Sequence, residues 1–154
     1  MARVAGSVSS HDISEASDRW NLPIVDELVV ACCVDYGVTL HFSNGVIIRI
    51  GQPFIYRTTK GLEHLIVPEG DPVRVAPVLA ICRQAVQQGF AFKEGRLELH
   101  FADNSVLSVS SSEDLEPWEL TGPDGLRLVS IPGGDLAVWR TRPSSDGVSR
   151  AVGR

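Results

Sequence analysis

Glu113, Asp114, Glu116 and Glu119 gather four carboxylates around Trp118. Paired carboxylates do general acid–base work when their separation is fixed and burial raises one pKa. Nothing in this stretch sets such a separation or builds a substrate pocket beside it. An acidic rim with an aromatic centre also suits capture of a basic protein surface, because charge steers the encounter and a large aromatic side chain anchors it. The competing reading buries Trp118 in the core and leaves the acids solvated.

Other chemistry-bearing residues lead to nothing more specific. His41 and His100 occupy matching places in two related segments, but a zinc or iron site needs three or four close ligands and neither segment supplies them. Both histidines are expected on the solvent side of a strand, and His11 and His64 stand alone. Cys32, Cys33 and Cys82 form no CxxC pair. Strand neighbours point to opposite faces, so Cys32 and Cys33 do not suit one metal or a mutual disulfide, and all three read as buried reduced thiols. No Gly-x-Ser-x-Gly elbow is present. Pro132-Gly133-Gly134 lacks the Lys and Ser or Thr of a phosphate loop and reads as a turn. No catalytic, cofactor-binding or metal-ligating residue is assigned, and no cofactor is expected.

The elements that position these residues follow from an internal repeat. Gly37–Ile50 (GVTLHFSNGVIIRI) returns as Gly95–Val109 (GRLELHFADNSVLSV), with Leu40-His41-Phe42 matched by Leu99-His100-Phe101, 59 residues on. Strict alternation sends Leu40, Phe42, Leu99 and Phe101 to one face and the histidines to the other. Each copy reads as part of a three-stranded β-meander, and two such units bury their apolar faces together. Leu28–Asp35 is apolar on both faces and reads as a central strand. Phe54–Arg57 and, more weakly, Leu62–Val67 follow as strands. Asp71 and Pro72 mark a helix start, with Val75, Val78, Leu79 and Cys82 on one side and Pro77 delaying the regular helix to about Ala76. Trp118–Leu120, Leu126–Ile131 and Leu136–Trp139 form a closing meander.

The expected fold is therefore mainly β, of α+β type: two related antiparallel meanders joined through one helix, plus a C-terminal three-stranded meander. Residues 1–20 read as a mobile arm with a possible short helix, 21–140 as a single β-rich domain and 141–154 as a disordered tail. Whether the meanders make one sheet, a sandwich or a barrel is left open, as is the oligomeric state.

Net charge narrows the partners. The chain stands at −5, and the segment 141–154 alone carries +2, which leaves −7 for the remainder. Binding nucleic acid needs Lys and Arg to replace phosphate counterions, so that class is disfavoured and basic protein surfaces are favoured. No stretch is apolar and long enough for a signal peptide or a membrane span, so a cytoplasmic location is expected by default.

Glu116–Trp139 (EPWELTGPDGLRLVSIPGGDLAVW) resembles the C-terminal signature of a family of short bacterial proteins of unknown function, W-E-[LIV]-x-G-P-x-G, then V, then P-G-G-x-L-A-V-W. Trp118, Glu119, Gly122, Pro123, Gly125, Val129, Pro132, Gly133, Gly134, Leu136 and Trp139 match. The similarity extends more weakly back to Ile24. The family prefers Asp-Gly in its hairpin turns, whereas the second here is Asp103-Asn104-Ser105. The resemblance implies a mostly β fold without known catalytic residues. Small β-rich bacterial proteins include immunity proteins that neutralise a toxin, an analogy of class alone. The function expected is non-enzymatic protein binding through the acidic face at Glu113, Asp114, Glu116, Trp118 and Glu119, with an immunity-like role as one form. The alternative is a small enzyme or small-molecule binder with a pocket between the two meanders.

Overall fold

The computed structural model describes residues 12–140. Its strands, in chain order, are β1 (Ser14–Glu15), β2 (Arg19–Asn21), β3 (Val29–Val34), β4 (Val38–Phe42), β5 (Ile47–Ile50), β6 (Phe54–Arg57), β7 (Glu63–Ile66), β8 (Val86–Phe92), β9 (Leu97–Phe101), β10 (Val106–Val109), β11 (Trp118–Thr121), β12 (Arg127–Ile131) and β13 (Asp135–Trp139). They form two antiparallel sheets, ordered β1-β2-β8-β9-β10-β6-β7 and β13-β12-β11-β5-β4-β3. The inner faces of both sheets share one apolar core, which includes Leu40, Ile48, Leu120 and Leu128 from one and Tyr56, Leu97, Leu99 and Phe101 from the other. The chain is mainly β, as expected, and its two sheets pack as a sandwich.

The repeated meanders are β3-β4-β5 and β8-β9-β10, one in each sheet. Their alternation is as read: Val38, Leu40 and Phe42 are buried while Thr39 and His41 are only partly covered, and Leu97, Leu99 and Phe101 repeat this around Glu98 and His100. Each meander then receives the hairpin that follows the other. After β5 the chain crosses over and β6 pairs with β10; after β10 it crosses back and β11 pairs with β5. This exchange ties the two copies into one unit.

The repeat extends further upstream than the LHF segments show. Ile24 and Ile81, 57 residues apart, are both buried, and each carbonyl accepts from the residue three further on, Glu27 and Gln84. Asp26 and Arg83 both adopt positive φ (68° and 72°). Asp26 donates its N–H to the Val86 carbonyl, and Arg83 does the same to Val29. Register shifts fall at equivalent places, between Val29 and Ala31 and between Val86 and Gln88. The offset rises from 57 to 59 because three residues join Val34 to Val38 whereas five join Ala91 to Leu97.

Three expectations are corrected. β3 is an edge strand, not a central one, and Val30 and Val34 are exposed. The helix, Pro72–Ile81, is a 3-10 helix. Asp71 caps it by accepting from the Val73 N–H at 3.0 Å, as expected, and Pro72 opens it. With three residues per turn the buried positions are Val75, Val78 and Ile81, while Leu79 is exposed and Cys82 half-buried. Pro77 lacks the N–H that an α-helix would use and crowds the preceding turn, which disfavours the wider helix.

The third correction concerns the arm expected over 1–20. From Asp12 onward it is a hairpin, not a helix. Ser14 pairs with Asn21, and β2 adds to the sheet with Arg19 opposite Phe92 and Trp20 opposite Ala91. Ile13 is buried in the core, and Trp20 packs against it. Trp20 finds a long-range strand partner here and Ile13 a place in the core, which outweighs their helical spacing. The rest of the arm, 1–11, and the tail expected over 141–154 lie outside the described residues.

Candidate functional site

The acidic stretch connects β10 to β11 and so crosses from one sheet to the other at one end of the sandwich. Ser112 organises it. Its Oγ accepts from the backbone N–H groups of Asp114 (3.2 Å) and Leu115 (3.1 Å), and its carbonyl accepts from the Gly133 N–H at 2.9 Å. The loop is thereby fixed to the β12–β13 turn. Glu113, Asp114, Leu115 and Glu116 are all exposed, with 49% of the Leu115 surface open to solvent. Among the described residues the carboxylates of Glu113, Asp114 and Glu116 make no ion pair or hydrogen bond.

The turn between β8 and β9 closes against the same place. Gly95 has φ +101°, and a Cβ there would stand 2.9 Å from the Ser111 Cβ and 3.0 Å from the Ser130 Oγ, so only glycine fits. Its carbonyl oxygen accepts two buried hydrogen bonds, from the Trp118 Nε1 at 2.9 Å and the Ser130 Oγ at 2.8 Å. This convergence brings exposed Glu94 and Asp135 toward the loop, two acids that sequence spacing did not associate with it. The nearby cations are engaged: Arg96 with Glu94 and Glu98, Lys93 with Glu15.

Two residues of the expected face do not belong to it. Trp118 is 1% exposed and lies in the core, so it is not an interface anchor. Alternation on β11 turns Trp118 and Leu120 inward, and the Gly95 carbonyl satisfies the indole N–H. Glu119 points the opposite way, to the outer face, where Arg127 pairs with it at 3.2 Å. The exposed apolar residue among the free acids is Leu115.

The remaining candidates are dispersed. His41 and His100 lie in different sheets and do not meet. The His100 Nε2 stands 2.9 Å from the Glu98 Oε1. Burial pushes the Glu98 carboxyl up, but the His100 hydrogen bond and the Arg96 charge outweigh it and hold the group below its usual value. Among the described residues no cluster of His, Cys, Asp and Glu could hold a metal ion. The thiols are less buried than expected: Cys33 is exposed on the outer face of the sheet, opposite Thr39, while Cys32 and Cys82 are half-buried side by side. Burial, with Cys82 adding to it, pushes the Cys32 thiol up to about 12. Such a thiol is a poor nucleophile.

Among the described residues no helix is long and apolar enough to cross a membrane. Neither a curated protein nor a solved structure matches the chain. A family pattern does, over residues 20–140, from Trp20 in β2 through both meanders to Arg140 after the closing strand. The chain therefore belongs to DUF6188, a family of unknown function.

Proposed function

We propose that this chain is a non-enzymatic binding protein whose contact surface is the loop carrying Glu113, Asp114, Leu115 and Glu116, and whose partner is a basic protein. The observation that carries this reading is the exposed Leu115 set among three carboxylates that have no cationic partner among the described residues, on a loop fixed through Ser112. Unpaired charges raise association rate with a basic surface, and an exposed leucine adds a small apolar anchor. Asp135 extends the same field. The interior between the meanders is filled by Leu40, Phe54, Leu97, Phe101 and other buried side chains, which favours surface binding over the alternative of a pocket there. An immunity-like role in the cytoplasm is the specific form we favour, and it rests on class analogy with small β-rich bacterial proteins.

The test is a comparison of what the full chain and its Glu113→Lys/Asp114→Lys/Glu116→Lys variant retain from a lysate of the native host. A basic protein retained at low salt by the first and lost by the folded second supports the proposal. Equal retention removes the loop as the contact surface.

A further inference from the structure

We propose that the free edge of β3 pairs antiparallel with β3 of a second copy of this chain, through the outward backbone groups of Cys32 and Val34. The direction of those groups follows from the ladder. Phe42 donates its N–H to the Val46 carbonyl, so alternation turns Leu40 and Val38 toward β5 and leaves His41 and Thr39 facing β3. Their partners Ala31 and Cys33 face β4. Cys32 and Val34 therefore aim N–H and C=O away from the sheet, and they make no backbone hydrogen bond on that side among the described residues.

The repeat shows what such an edge takes. Gly89 and Ala91 hold the equivalent positions on β8, and there the edge is covered: the Leu22 N–H donates to the Gly89 carbonyl at 2.9 Å, and Trp20 pairs with Ala91, antiparallel. Beside β3, Leu79 stands 57 residues after Leu22 but sits in the 3-10 helix, so no strand is supplied. The other three sheet edges are blunted by length or charge. β1 has two residues, β7 carries Glu63 and His64, and β13 begins with Asp135. Val29–Val34, VVACCV, has six residues with no charge and no proline. Such an edge is a template for another strand.

Self-complementarity identifies the occupant as a second copy. Pairing about a two-fold axis at Cys33 sets Cys32 against Val34 of the second copy and Val34 against its Cys32, so that all four outward groups on each side bond and no charge faces a like charge. This ladder stops short of Val29, whose own outward N–H and C=O bond Gln84 and Arg83. Arg83, bonded to Val29 and without an ion pair among the described residues, meets the turn holding Asp35 and the 80%-exposed Tyr36. Arg140, which follows β13 at the opposite edge of the sheet, holds its guanidinium 5.5 Å from the Trp20 ring.

The experiment is sedimentation equilibrium of the full chain under reducing conditions, with Val34→Pro as the variant. Proline there removes only an outward N–H, as edge strands tolerate. The expected result is a dimer at about 100 μM, a concentration at which micromolar association is nearly complete, and a monomer for the folded variant. Oxidation of the dimer with copper phenanthroline should link the copies through Cys33, since directly opposed non-bonded pairs bring Cα atoms to about 4.5 Å, within disulfide reach. The link should persist in Cys82→Ser and vanish in Cys33→Ser. A monomeric wild type, a folded Val34→Pro that still dimerises, or a wild-type dimer that does not cross-link at Cys33 would each overturn the proposal. The cross-link test stands even if Val34→Pro does not fold.

Discussion

Trp118 and Ser130 share one acceptor. The indole Nε1 and the hydroxyl Oγ both donate to the Gly95 carbonyl, which lies in the β8–β9 turn of the opposite sheet and is buried between them. That shared bond joins the two sheets at the end where the acidic loop crosses, and it has a thermodynamic signature. Removing one donor leaves the carbonyl satisfied by the other, so the lost bond of Ser130→Ala costs about 1 kcal/mol; Trp118→Phe loses its bond and some packing. Removing both orphans a buried acceptor, which adds about 1–3 kcal/mol. The double variant should therefore be less stable than the sum of the singles, as read from chemical denaturation in a double-mutant cycle. Additive losses would show that the two donors act independently.

Phe101 and His100 test the sheet face. Phe101 is fully buried, and Phe101→Ala should cost about 3–5 kcal/mol. His100→Ala, which removes a partly exposed contact with Glu98, should cost much less. Comparable losses in denaturant titrations would contradict the assigned faces.

The N-terminal hairpin should be needed for full stability. A chain beginning at Leu22 loses buried Ile13 and uncovers the β8 edge at Phe90–Phe92. It should melt well below the full chain and associate more readily, because the uncovered strand is apolar. An unchanged melting temperature would show that β1 and β2 are dispensable.

Acid should weaken the fold partly through Glu98 and Asp103. Burial pushes both carboxyls up, but His100 and Arg96 outweigh it at Glu98, and the Ser105 hydroxyl and N–H do so at Asp103. A folded pKa below the unfolded one gives stability that is complete above the unfolded value, ordinarily 4.5 for Glu98 and 3.8 for Asp103, and that is lost as pH falls through the folded value. Stability should thus decline below about pH 4.5, and Glu98→Gln should flatten that decline. An identical acid limb in the variant would remove Glu98 from the account.

How much of this was legible in the sequence depends on the range of the interactions. The alternation in Leu40-His41-Phe42 and Leu99-His100-Phe101 is local, so the buried faces, the meanders and the turns could be read directly. The place of β3 could not. Its apolar character on both faces matches a central strand, and only the 3-10 helix that replaces a covering strand leaves it at the edge. Trp20 gave no strand signal because its partner, Ala91 on β8, lies some seventy residues away, and Ile13 is held by the distant core. At Trp118 the residue type suited core and interface equally. The period-two pattern Trp118–Leu120, set against Glu119 and Thr121, was the signal that would have turned it inward.

On this proposal the loop binds through charge and Leu115 together, and association kinetics separate these contributions. With the basic protein retained from the host lysate as the immobilised partner, Glu113→Lys/Asp114→Lys/Glu116→Lys should slow association at low salt, an effect that fades as salt is raised. Leu115→Ala should leave association almost unchanged and speed dissociation. Both variants should melt close to the wild type, since all four side chains are exposed. Unaltered association by the folded triple variant at low salt would contradict the account and return these carboxylates to a solvated loop.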